Sequence, residues 1–325
     1  VPATSPRYIE ALNRALADAM EADGRVTLMG VDIGAGGGAY GVTRGLHDRF
    51  GADRVLDTPI AEAGVLGAAV GAAMAGLRPV AEIMYVDFIT VCLDPIVNQA
   101  AKLRYMTGGG VTVPIVFRTQ SGAGRSGGAQ HSQSLEGLLA AIPGLDVYTP
   151  ADARDAYDLT RAAIDADHPV CLIENRRLYG KRHPGWDREP LPPGTARVVA
   201  SGDDVTVVTW GRMVHETLDA VAALGPAASV EVIDLRTLVP LDVETVRASV
   251  ARTGRCLVVH EAVAQFGPGG ELVAQIAEHA LFDLDGPVRR YGALPSPVPY
   301  SPGLEAAMLP GASGIQAAIL GVLER

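Results

Sequence analysis

The sequence predicts an α/β protein of two domains, each built on a mostly parallel, doubly wound sheet. Three observations carry this. Apolar runs of strand length alternate with helical repeats along almost the whole chain, the pattern of strands joined by helical crossovers. Apolar residues make up 48% of the 325 positions, with Ala, Val and Leu dominant and 38 Gly besides, which suits sheets buried between helices. The alternation stops once, at the Pro-rich stretch KRHPGWDREPLPPG, and then restarts. That break puts a boundary near residue 195, giving domains 1–195 and 196–325.

The elements follow in order. Ser5-Pro6 has the character of an N-cap and first helical position, and Ile9, Leu12, Leu16 and Met20 follow at helical spacing. Residues 26–29 read as a buried strand, and GAGGGAYG (34–41) as a loop. A strand near 54–56 leads through Asp57-Thr58-Pro59 into a helix from about 61 to 75. Then come a strand (79–84), a long helix (88–106), a strand (114–118) and a Gly/Ser loop (120–133). A helix, a strand (146–148), a helix (152–166) and a strand (170–174) close the first half. The second half reads as strands at 205–209, 230–235, 256–260 and 288–290, with helices at 212–224, 242–252 and 269–281 between them.

Bulk properties narrow the function. Net charge is −10 with no basic block, which argues against nucleic acid and gives no polybasic signal for an anionic membrane. No uninterrupted apolar run approaches the ~18–20 residues of a spanning helix. The first residues lack signal-peptide architecture. Cys92, Cys171 and Cys256 lie far apart in apolar settings without metal or CxxC spacing. A cytoplasmic location with reduced, buried thiols is the expectation.

Familiar catalytic devices are missing: there is no GxxxxGK[ST] or HExxH. The glycines at 34–38 suggest either a turn or a phosphate cradle, without forming a GxGxxG that opens a helix after a strand. Glu62 starts a helix of very small residues, Gly64, Gly67, Ala68, Gly71, Ala72 and Ala75. One reading is an acid favoured by the helix dipole. The other is a catalytic carboxylate, poorly hydrated because another helix approaches closely, with its pKa raised. His131 lies in a Gly/Ser loop after a strand, either a surface residue or a reactive group. Phe88, one of five phenylalanines, is a core residue or a ring for stacking on a flat heterocycle. Among the other histidines only His260, at the end of a strand in VVHEA, draws notice.

In this order, DTPIAEAG (57–64), GLRPVAEIMYVDF (76–88), NQAAKLRYMTGG (98–109), VPIVFR (113–118), AQHSQS (129–134) and IPGLDVYTP (142–150) closely resemble one family. It is that of the β-subunits of thiamine-diphosphate-dependent pyruvate, branched-chain 2-oxo acid and acetoin dehydrogenases. DVTVVTWGRMVHETL (204–218), VIDLRTLVPLD (232–242) and VVHEA (258–262) continue the match. The resemblance implies a thiamine-type pyrimidine-binding domain followed by a transketolase-type C-terminal domain. It makes Glu62 the carboxylate that hydrogen-bonds the aminopyrimidine ring and so activates the cofactor. Phe88 and Ile60 become contacts to that ring, and His131 a contact to the substrate and the acylated cofactor. It also implies a potassium site, mainly of backbone oxygens, at Ile115, Ala163, Ile164, Ala166 and His168.

No GDG motif for Mg²⁺ and diphosphate occurs. The resemblance therefore implies an α-subunit that carries the metal end, in an α2β2 assembly. The implied reaction decarboxylates a small 2-oxo acid, or cleaves acetoin, and transfers the acyl group to a lipoyl carrier, with a lipoyl acyltransferase as a further partner. One departure stands out: where the family has Gly-Glu-Asp/Glu-Val, this chain has Gly30-Val31-Asp32-Ile33. That change opens an acyloin-forming biosynthetic reading without a lipoyl partner. A catalytically silent scaffold for an α-chain is the third reading, against which Glu62, Phe88 and His131 together argue.

Overall fold

Leu12, Leu16 and Met20, spaced for one helix face, are buried on helix α1 (Tyr8–Ala22) in the computed structural model, which describes residues 5–324. The helix begins at Tyr8 instead of Pro6 because the chain ahead of it is held extended. Arg7 forms an antiparallel bridge with Arg182, and the Tyr8 amide donates to Lys181 O at 2.9 Å. The Arg7 amide then donates to Glu10 Oε2 at 2.6 Å, closing the first turn.

Two units share the chain. The first takes the residues up to Ser121 together with Leu138–Pro193, and the second takes Gly122–Gly137 and everything from Gly194 onward. In the first unit the elements after α1 are β1 (Val26–Gly30), α2 (Leu46–Phe50), β2 (Val55–Asp57), α3 (Glu62–Met74) and β3 (Arg78–Ile83). Next come α4 (Leu103–Met106), β4 (Val116–Ser121), α5 (Glu136–Ala140), whose first turn begins in the second unit, β5 (Asp146–Tyr148), α6 (Ala153–Asp165) and β6 (Val170–Asn175).

The long helix expected over 88–106 is three pieces: a 3₁₀ turn (Val86–Cys92), a π-turn (Pro95–Ala100) and α4. Pro95 has no N–H to continue a helical ladder. The backbone beyond it widens, and the Ala101 amide reaches Ile96 O at 3.0 Å.

The six strands of this unit lie in the order β5-β6-β4-β3-β1-β2, all parallel. β1, β4 and β6 are buried along their whole length, the reason they read as unbroken apolar runs or carry paired charges. Arg118 on β4 sits between Glu82 on β3 and Glu174 on β6, donating to them at 2.8 Å and at 2.6 and 2.9 Å. All three side chains are buried, so each charge depends on the others being present. The Tyr179 hydroxyl donates to Glu174 Oε2 at 2.5 Å.

The second unit contains β7 (Arg197–Ala200), β8 (Val205–Thr209), α7 (Met213–Leu224), β9 (Val230–Asp234), the short β10 (Thr237–Val239), α8 (Val243–Thr253) and β11 (Cys256–Val263). α9 (Gly269–His279), β12 (Arg289–Ala293), α10 (Pro302–Met308) and α11 (Ala312–Leu323) complete it. Its sheet runs β12-β11-β8-β9-β7, with only β7, a strand the sequence pattern does not announce, antiparallel. Val205, Val207, Val232, Leu257 and Val259 pack against Ile315 and Ile319 of α11.

By length and composition, residues 302–323 are apolar enough to cross a membrane. That stretch is two helices separated at 309–311, however, and the longer one buries Ile315, Ile319 and Val322 in the core of its unit. All three cysteines are buried and unpaired with one another.

Candidate functional site

Because β1 lies between β2 and β3, the loops that leave their C-terminal ends are neighbours, the usual place for ligands in parallel sheets. The glycine-rich segment after β1 is a folded loop that spends its amides internally. Gly34 N donates to Asp57 Oδ1 at 2.6 Å, Gly38 N to Asp32 O at 2.8 Å, and Gly37 N to Gly34 O at 3.0 Å. These engaged amides favour the turn reading.

After β2, Ile60 is 80% exposed and Glu62 is the first residue of α3. After β3, Phe88 is half-buried, with Tyr85 edge-on at 5.9 Å and Tyr40 edge-on to Tyr85 at 6.2 Å. The Arg176 guanidinium lies over the Tyr85 ring at 4.7 Å. Glu62 belongs to this group. Burial pushes the Cys92 thiol up to about 12, and the charge of Glu62 adds to the shift, while Cys92 Sγ donates to Phe88 O at 3.5 Å.

The sequence led to the expectation of a poorly hydrated Glu62. In this chain it is half-exposed, because the small face of its helix is uncovered: Gly64, Gly67, Ala68 and Gly71 are all exposed. A Cβ added at Gly67 or Gly71 would meet no atom within 4 Å. The close approach those residues allow is not made by the described part of this chain. α3 instead buries Val65, Leu66, Ala69, Val70 and Ala73.

Thr58 Oγ1 is buried without a partner among the described residues. A carboxylate, an aromatic ring, an open isoleucine and an orphaned hydroxyl make a donor set that fits a flat aminopyrimidine. Among the described residues, no three His, Cys, Asp or Glu side chains converge as metal ligands would.

His131 belongs to the second unit, whereas Glu62 and Phe88 belong to the first. Its loop, Gly122–Gly137, is held by residues of its own unit. Ala123 N donates to Glu261 Oε1 at 2.8 Å, and Arg212 Nε to Glu261 Oε2 at 3.0 Å. His131 is half-exposed, and its amide reaches Gly128 O at 3.4 Å. The neighbouring Ser132 is buried, and its Oγ has no partner among the described residues. Ser132, Gln133, Ser134, Glu261, Val298 and Met308 are among the residues lining a half-open pocket of about 360 Å³.

At the end of the loop, burial raises Glu136 to about 7. Trp210 Nε1 donates to its Oε1 at 3.3 Å. Sequence reasoning singled out neither Glu136, Trp210 nor Glu261. The available signals were slight: an acid opening a helix five residues after His131, and an acid directly after His260.

The five residues expected to hold potassium do come together in part, around a different cation. Arg78 Nη1 donates to both Ile164 O and Ala166 O at 2.9 Å, and its Nη2 pairs with Asp167 at 2.6 Å. Ile115 O accepts from Val170 N at 3.0 Å. His168 Nε2 lies 2.9 Å from Asp146 Oδ2, and this hydrogen bond raises the His168 pKa. A second positive charge fits poorly where a guanidinium already faces two of the carbonyls.

Residues 4–182 match the family model of the transketolase pyrimidine-binding domain, and residues 194–315 that of the transketolase C-terminal domain. The chain is 40% identical over 316 residues to the 2-oxoisovalerate dehydrogenase subunit beta of Bacillus subtilis, covering 96% of this chain and 97% of that one. It is 43% identical over 320 residues to the beta subunit of acetoin:2,6-dichlorophenolindophenol oxidoreductase of Cupriavidus necator, covering 95% and 94%. It is also 43% identical over 307 residues to the mitochondrial pyruvate dehydrogenase E1 component subunit beta-1 of Arabidopsis thaliana, covering 93% and 85%. A solved chain described as a split-gene transketolase, inactive beta4 tetramer, shares the fold with a TM-score of 0.82 at 21% identity, over 98% of this chain and 99% of that one.

Proposed function

The chain belongs to the transketolase-like family of 2-oxo acid dehydrogenase β-subunits, and from that premise we propose that it is the pyrimidine-binding half of a thiamine diphosphate enzyme completed by an α-chain. The reaction is decarboxylation of a small 2-oxo acid, or cleavage of acetoin, followed by acyl transfer to a lipoyl carrier. When bound, the cofactor supplies the electron sink for breaking the bond beside the carbonyl.

This chain's own groups do the rest. Ile60 and Phe88 would contact the pyrimidine, and Glu62 would hydrogen-bond one of its ring nitrogens. His131 would contact the substrate and the acylated cofactor as an acid–base group. The observation that carries the reading is the grouping of Glu62, Ile60 and Phe88 after β2 and β3, the two strands that flank β1, beside a helix face of small residues left open in this chain. That open face is where a second chain is proposed to pack and shield Glu62 from water. Mg²⁺ is proposed to enter with the α-chain, and the charge at the Ile164 and Ala166 carbonyls to come from Arg78 in place of potassium.

Val31, where the family has an acid, favours a second reading: acyloin synthesis without a lipoyl partner. An assay of donor and acceptor with and without lipoyl acyltransferase separates the two. The main proposal is tested by titrating thiamine diphosphate and Mg²⁺ into this chain, alone and with its α-chain. Binding is expected to be feeble alone and tight in the pair. Tight Mg²⁺-dependent binding by this chain alone would sink the half-site reading.

A further inference from the structure

The loop that carries His131 begins with a sharp turn. Gly122, Gly124, Ser126 and Gly128 have φ of +98°, +92°, +56° and +71°. Interrupting ordinary backbone with left-handed residues turns successive N–H groups toward one point, a concave set of donors suited to an anion. Here the anion is a side chain. Glu305, on α10 and only 3% exposed, accepts from Gly124 N at 2.7 Å and Arg125 N at 3.3 Å on Oε1, and from Ser126 N at 2.9 Å on Oε2.

Two neighbours reinforce it. Glu261 takes the amide just before, Ala123 N, at 2.8 Å. The Tyr300 ring lies so close over Gly128 that a Cβ there would be 2.2 Å from its Cζ. Four consecutive loop residues, 123–126, therefore have their amides answered by buried carboxylates, and His131 follows three residues after the glycine that Tyr300 covers.

We propose that Glu305 is a positioning residue, whose carboxylate sets the conformation of the loop that presents His131. The proposal rests on the reading of His131 as the substrate-contacting group. Without the carboxylate, three N–H groups lose their acceptor, and the glycines that allow the turn then favour many other conformations. Glutamine keeps the shape but offers a single oxygen and turns an NH₂ toward donors.

The test uses the complex assembled with the α-chain, thiamine diphosphate and Mg²⁺, comparing Glu305→Gln, His131→Ala and the double variant. Hydrogen exchange over 122–134 and steady-state turnover are both read. Glu305→Gln should speed exchange at the 124–126 amides and lower kcat, each by about tenfold or more, the scale of one lost charge-assisted hydrogen bond. Cofactor affinity and exchange in β8 and β11 should be unchanged. The double variant should turn over no more slowly than His131→Ala.

Unchanged loop exchange in Glu305→Gln would overturn the proposal. So would fast exchange with full turnover, or a further tenfold loss in the double variant, since Glu305 would then act other than through His131. Full turnover in His131→Ala would overturn the reading of His131 and this inference together, which distinguishes the two failures.

Discussion

The indole of Trp210 stacks on the imidazole of His260, ring centroids 5.4 Å apart and planes 16° from parallel, and its Nε1 donates to Glu136. The groups on either side of the indole titrate in opposite senses. Burial raises Glu136 to about 7, with nearby Glu261 adding to the shift. Burial lowers His260 to about 4, against the Nδ1 contact to Ala262 O and with Arg290 adding to the fall. Arg212 pairs with Glu261 on one side and with Glu216 on the other.

These shifts give a pH profile with two opposed components. Glu136 stays protonated in the fold where the unfolded chain, at 4.5, has released its proton, so its contribution to stability falls from about pH 4.5 to 7. His260 stays neutral in the fold where the unfolded chain, at 6.5, is protonated, so its contribution rises from about pH 4 to 6.5. Over the shared window the two offset each other. Glu136→Gln should therefore gain a stability that climbs between pH 4.5 and 6.5, by about 1–3 kcal/mol, read by denaturant unfolding. A profile as flat as that of the parent chain would rule out this linkage.

Glu62→Gln keeps the side chain's size and removes its ionisable proton. In the assembled enzyme, hydrogen–deuterium exchange at the thiazolium carbon of bound cofactor should slow sharply. A helix-dipole role alone predicts normal exchange and a stability loss of about 0.3–1 kcal/mol. Both quantities are measured on the one variant.

His131→Ala should leave cofactor affinity nearly intact and cut turnover by roughly 10²-fold or more, the scale of a lost acid–base group. Calorimetric titration of cofactor beside steady-state rates checks this. Native turnover would return His131 to an ordinary exposed loop residue.

If Arg78 supplies the charge at the Ile164 and Ala166 carbonyls, exchanging K⁺ for Na⁺ at constant ionic strength should leave the thermal midpoint of this chain unchanged. Arg78→Met should lower it, since two carbonyls and Asp167 lose their donor, and K⁺ should then restore part of the loss. A clear K⁺-specific rise in the parent chain would contradict the guanidinium assignment.

By itself the sequence determined the alternation of strands and helices, because a continuous apolar run such as β1 and a helical repeat such as Leu12-Leu16-Met20 record the periodicity of the backbone that buries them. It also marked Glu62, Phe88 and His131 as candidates from their places in segments that follow strands, and the family motif added Ile60. It could not reveal the break after Pro95, the antiparallel β7, or the guanidinium of Arg78 against carbonyls more than eighty residues away. Nor could it reveal that the His131 loop folds with the second unit. Glu305 meets Ser126 across 179 residues, and no periodicity spans that distance. Only the folded path of the chain decides which buried carboxylate lies beside which buried amides, because a buried N–H must find an acceptor wherever the chain supplies one.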